Sequence, residues 1–64
     1  MEDAFVAYGA GHADGRAGRE DVARAGDART GADYRVGLVD GQLAAFEDAL
    51  TEAIRRAMGD RLDG

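Results

Sequence analysis

Nucleophilic, acid–base and metal chemistry each need particular side chains at particular spacings, and this 64-residue chain offers few of them. It has no Cys and no Ser, and its only aliphatic hydroxyls are Thr30 and Thr51. The single imidazole, His12, lies between Gly11 and Ala13. A general base must be matched to a nucleophile and held by an orienting group, and nothing around His12 supplies that chain. A structural or solvent-facing His is the simpler reading. Glu47 and Asp48 are adjacent, so on a helix their carboxylates diverge instead of sharing a proton. No His-x-x-x-His or Cys spacing suggests a metal site. Catalytic, cofactor-binding and metal-ligating residues are therefore all expected to be absent, and no cofactor is implied.

The pattern with most content is internal. Tyr8-Gly9-Ala10-Gly11-His12-Ala13-Asp14-Gly15 and Tyr34-Arg35-Val36-Gly37-Leu38-Val39-Asp40-Gly41 both read Tyr-x-x-Gly-x-x-Asp-Gly, 26 residues apart, and use the only two Tyr of the chain. A small residue, Gly18 or Ala44, follows each at the same offset. On a helix the Tyr, the two Gly and the small residue share one face. Glycines four apart let two helix backbones approach closely, a device best known from membrane helices. The predicted packing seam is Tyr8, Gly11, Gly15 and Gly18 against Tyr34, Gly37, Gly41 and Ala44. A phosphate cradle is the rival use of such glycines, but the Asp in each motif repels an anion. A cation site on Asp14 and Asp40 is a weaker alternative still.

Those motifs need helices to carry them. From Val36 the apolar residues Val39, Leu43, Phe46, Leu50, Ala53 and Ala57 recur at spacings of 3 and 4, and Ile54 and Met58 widen the stripe. That periodicity predicts an amphipathic helix over about 32–58. Thr30 or Asp33 is placed to cap its start and Gly59 to end it. A weaker helix is predicted over about 3–25, because four glycines lower its intrinsic stability. The linker 26–31 holds two Gly, an Asp and a Thr. Asp14-Gly15 and Asp40-Gly41 are also hairpin signals. The flanking residues do not alternate cleanly, so helix is preferred there.

Composition bounds the rest. The chain holds 8 Arg, no Lys and 13 Asp plus Glu, for a net charge of −5. Acids and arginines are spread evenly over both halves, without the basic cluster that phosphate binding requires, so nucleic acid is not expected as a partner. No apolar run approaches the ~20 residues of a membrane span, so no membrane partner is expected either. No signal peptide is recognisable, and a cytoplasmic or virion-associated location is expected. The Ala, Gly, Arg, Asp and Val usage fits a GC-rich genome, actinobacterial or phage.

Chains this short bury only about 60% of their unfolded surface, and here Ala and Gly fill 24 positions. Disulfides and metals are not on offer, which leaves association with protein. The expected architecture is one all-α domain over 1–64, a two-helix antiparallel hairpin close-packed through small residues. Val39, Leu43, Phe46, Leu50, Ile54 and Met58 then remain as a partner or oligomer face. The expected function is a non-enzymatic interaction module, most concretely a small accessory component of a larger assembly such as a phage virion. The alternative is a small acidic inhibitor or antitoxin-like protein that binds one host protein.

Overall fold

The computed structural model describes residues 2–63, with side-chain surroundings defined from residue 3 to 59. The helices are α1 (Glu2–Ala17), α2 (Val22–Ala25) and α3 (Gly31–Asp63), and no strand occurs among the described residues. Both Asp-Gly dipeptides lie inside helices, Asp14-Gly15 in α1 and Asp40-Gly41 in α3. The two-residue hairpin turns that such dipeptides favour need positive φ. Among the described residues only Gly18 has it, at 73°.

Gly18 decides where the first helix stops. The Gly18 N–H donates to the Gly15 carbonyl at 3.2 Å and the Arg19 N–H to the Asp14 carbonyl at 2.8 Å. These two bonds form the Schellman closure that a left-handed glycine makes at low cost. The first helix therefore ends at Ala17, not near Ala25 as its spacing suggests. Residues 18–30 become a connection instead. Within it Asp21 accepts the Arg24 N–H at 3.1 Å and starts the single turn of α2. Asp27 accepts the Arg29 and Thr30 N–H groups at 2.8 and 3.0 Å and shapes the entry to α3. Those two donors hold the Asp27 carboxyl below its usual range.

The early stop changes the direction of packing. An antiparallel hairpin was expected, with a short linker between two long helices. The structure instead places α1 and α3 side by side and parallel. A step of four residues along α1, from Gly11 to Gly15, moves the facing residues of α3 forward by four, from Tyr34 and Leu38 to Leu38 and Gln42. Ion pairs mark the same direction, Asp3 with Arg29 at 3.3 Å at one end and Arg16 with Asp48 at 2.7 Å at the other. The physical reason is reach. α1 is about 24 Å long, and a 13-residue connection at up to ~3.3 Å per residue can return to its start. The chain therefore folds back before α3 begins.

α3 also runs further than expected, through Gly59 to Asp63. Glycine permits a left-handed stop but does not impose one. Glu52 pairs with Arg55 at 3.3 Å and Arg56 at 3.8 Å along this stretch, a modest local support for the helix.

The buried apolar core is small: Ala7, Ala25, Tyr34 and Leu38, with Ala10 packed against it. The molecule measures 55 × 21 × 11 Å.

Candidate interaction surface

Close approach of α1 to α3 is built on four glycines. A Cβ placed on Gly11 would overlap the Tyr34 carbonyl oxygen and lie 2.8 Å from the Leu38 nitrogen. One on Gly37 would overlap the Tyr8 carbonyl oxygen and lie 2.9 Å from the His12 nitrogen. Gly15 meets Leu38 and Gln42 in the same way, and Gly41 meets His12 and Arg16. Adding 26 to an α1 residue number converts each of these contacts into its counterpart. The repeat in sequence is thus an approximate two-fold axis in space, running along the helix pair. At each glycine the hydrogen that replaces the side chain points at a carbonyl of the facing helix. Such Cα–H···O contacts contribute about 0.5–1 kcal/mol each and offset much of the roughly 1 kcal/mol that each Gly costs a helix.

The tyrosines and aspartates of the repeat lock the same pairing. The Tyr8 hydroxyl donates to Asp40 Oδ2 and the Tyr34 hydroxyl donates to Asp14 Oδ2, both at 2.6 Å. At about 100° per residue, Tyr and Asp six residues apart stand on opposite flanks of the glycine line. Two copies of that pattern place Tyr beside Asp only when the helices are parallel. The signal was therefore present in the repeat, but spacing along one helix does not show it.

The two sides of the pair are not equivalent. The 18–30 connection crosses the side of Tyr34, whose hydroxyl also accepts the Asp21 N–H at 2.8 Å. Tyr34 is completely buried, whereas Tyr8 is half-buried and its bond to Asp40 is exposed. Both phenols are held above their ordinary pKa. For Tyr8 the main cause is the hydrogen bond to the Asp40 carboxylate, and for Tyr34 it is burial, followed by the bond to Asp14.

Of the residues assigned to the seam from sequence, Tyr8, Gly11, Gly15, Tyr34, Gly37 and Gly41 meet across it, and Ala44 is half-buried. Gly18 does not belong there. It is exposed, a Cβ on it would meet nothing within 4 Å, and its role is to end α1. Leu38 is the residue the spacing missed. It is 93% buried by its 7% exposure, and its backbone faces both Gly11 and Gly15. His12 is half-buried with its ring 6.2 Å from that of Tyr8, one turn earlier on α1.

The opposite face of α3 is apolar and exposed. Val36, Val39, Leu43, Phe46, Leu50, Ile54 and Met58 are all exposed, Phe46 at 62%. By helix geometry Val36 to Ile54 point roughly 140–220° round the helix from Gly41, and Met58 stands on the flank, about 100° from it. The face also extends beyond α1. In the 26-residue register Ala17 lies beside Leu43, and the Arg16–Asp48 pair closes the contact. From residue 49 onward α3 has no helix alongside it. A shallow depression on this face is lined by Ala32, Arg35, Val36, Val39 and Asp40.

Most arginines among the described residues lie beside acids. Arg16, Arg19, Arg24, Arg29, Arg55 and Arg56 each lie within 4 Å of a carboxylate oxygen, and Arg35 donates to the Ala25 carbonyl. Among the described residues no three His, Asp or Glu side chains are grouped to hold a metal ion. No helix among them is long and apolar enough to cross a membrane. Comparisons with protein-family models, curated proteins and solved structures find no match to this chain.

Proposed function

We propose that this chain is a non-enzymatic protein–protein interaction module that presents the outer face of α3, most concretely as a small accessory component of a larger assembly such as a phage virion. One observation carries the reading: an apolar stripe from Val36 to Met58 stays exposed, although α1 covers the other side of the first half of α3. Single residues of this kind are ordinary on a surface, but a contiguous row marks a contact site. The overhang strengthens the argument. An isolated helix of about 15 residues is marginal in water, so the segment after Asp48 gains most from a partner. The pairing of arginines with acids supports a protein partner over nucleic acid.

The test is site-specific photo-crosslinking in the native host. A photoreactive residue at Leu50, on the outer face, is expected to give a protein adduct of defined mass. One at Glu52, on the opposite side of α3 and paired with Arg55 and Arg56, is the control and is expected to give none. No adduct at Leu50, or equal adducts from both positions, would overturn the reading. A single adduct with one enzyme of the host would instead favour the acidic-inhibitor alternative.

A further inference from the structure

We infer that the occupant of the α3 outer face is a second copy of this chain, laid parallel and in register. The inference rests on the reading of that face as a docking surface and names its partner. Three observations carry it: the repeat of the stripe, the charges that flank it and its area.

Val36, Leu43, Leu50 and Ala57 are seven residues apart, and so are Val39, Phe46 and Ala53. These are the a and d positions of a heptad repeat, the pattern by which two helices wind together. The b, c and f positions include Gly37, Leu38 and Gly41, which α1 covers. One helix thus carries two seams on opposite sides. The inner seam is small and closed, and the outer seam is large and open. A dimer through the outer seam sets the two copies of α3 at the centre and each α1 outside.

Charge decides the direction. In a parallel pair each g residue faces the e residue five positions on in the other helix. Arg35 then faces Asp40 of the second copy, and the two-fold axis makes that contact twice. Both side chains are exposed residues lining the depression on this face. Each keeps capacity beyond its present bond, since a guanidinium has five donors and a carboxylate about four acceptor sites. An antiparallel pair that fills the same layers sets Arg35 against Arg56 and Asp40 against Glu47, which is repulsive at both flanks. The parallel register has one unfavourable match of its own, Arg56 with position 61.

Area fits a dimer. Val36, Val39, Leu43, Phe46 and Leu50 on the seam and Ile54 on its e flank, each about half exposed, offer on the order of 600 Å² per chain, the lower end of the ~600–1,000 Å² per partner of a standard interface.

The experiment combines sedimentation equilibrium with cysteine cross-linking of the full chain, which has no Cys of its own. The wild type is expected at twice the 6.7 kDa chain mass across the micromolar range, and Leu50→Asp at the mass of one chain. Ala53 is a d residue and faces its own copy only in the parallel register. Ala53→Cys is therefore expected to form a disulfide dimer under oxidised glutathione much faster than Thr51→Cys, which lies off the stripe. A wild type that stays monomeric at the highest concentration overturns the proposal, as does cross-linking of Ala53→Cys no faster than Thr51→Cys. So does preferential cross-linking of Ala53→Cys with Val36→Cys, the antiparallel neighbour. A monomer that still gives a Leu50 photo-adduct with another protein rejects the second copy and keeps the docking face. A monomer with no adduct rejects both.

Discussion

A methyl group on Gly37 probes the contact that organises the molecule. It would overlap the Tyr8 carbonyl oxygen and sit 2.9 Å from the Tyr8 carbonyl carbon and from the His12 nitrogen. These are backbone atoms of α1, so no rotamer change relieves the overlap. Restoring ordinary contact, ~3.5–4 Å between heavy atoms, needs the helices to part by about 1.5–2 Å. Overpacking costs roughly 1–3 kcal/mol. Parting also weakens the four Cα–H···O contacts, while Ala regains ~1 kcal/mol of helix propensity. The net loss for Gly37→Ala is about 2 kcal/mol, or a fall in Tm of about 10 °C for a domain this small. Gly11→Ala meets the same obstacle from the other helix. Because one separation of the helices accommodates both methyl groups, the double variant should lose less than the sum of the singles, with a coupling of about 1 kcal/mol. At Gly9 and Gly59 a Cβ meets nothing within 4 Å, so Ala there should raise Tm by a few degrees. The assay is thermal unfolding by circular dichroism at one fixed protein concentration, since association shifts Tm by mass action. Equal gains in Tm at positions 9, 11, 15, 37 and 41 would refute the close-packed seam.

Tyr34→Phe leaves the Asp14 carboxylate and the Asp21 N–H without their partner, at a cost of about 1–3 kcal/mol, while Tyr8→Phe removes only the exposed bond to Asp40 and should cost less than half as much. Urea unfolding measures both, and equal losses would contradict the asymmetry between the two sides. Both phenols are raised in the folded chain. The unfolded chain therefore sheds these protons first, so stability is full below about pH 10 and falls as pH climbs from there through the raised folded values. Tyrosinate absorbance of the native protein that titrates at the ordinary value would count against this. Finally, with a net charge of −5, physiological salt should raise Tm by screening self-repulsion. A mobility-shift assay should show no salt-sensitive retention of DNA or RNA, and retention of either would reveal an arginine cluster formed on assembly.

The helical character of the chain was legible from its residues. The spacing from Val36 to Met58 belongs to a helix, and the structure has α3 there. Gly11, Gly15, Gly37 and Gly41 could be picked out because removing a side chain from the middle of a helix face has a cost that only close packing offsets. Local chemistry at Gly18 was harder to read. In the first helix a small residue at that position fits a packing stripe and a left-handed stop equally well, and periodicity favours the stripe. Gly59 reads as a stop from sequence, yet the helix passes through it, because glycine permits a left-handed stop without imposing one.

What the linear pattern left undetermined was direction. Periodicity along one helix says which side is apolar, but it is blind to whether the neighbour runs up or down. That was decided once α1 closed at Gly18 and the connection became long enough to return. Pairing Tyr8 with Asp40 and Tyr34 with Asp14 then satisfied both hydroxyls in the parallel arrangement. The early end of α1, 16 residues against the 33 of α3, left the second half of α3 uncovered. A hydrophobic stripe is a property of sequence, but whether it is core or surface depends on which element the rest of the chain has left to place against it.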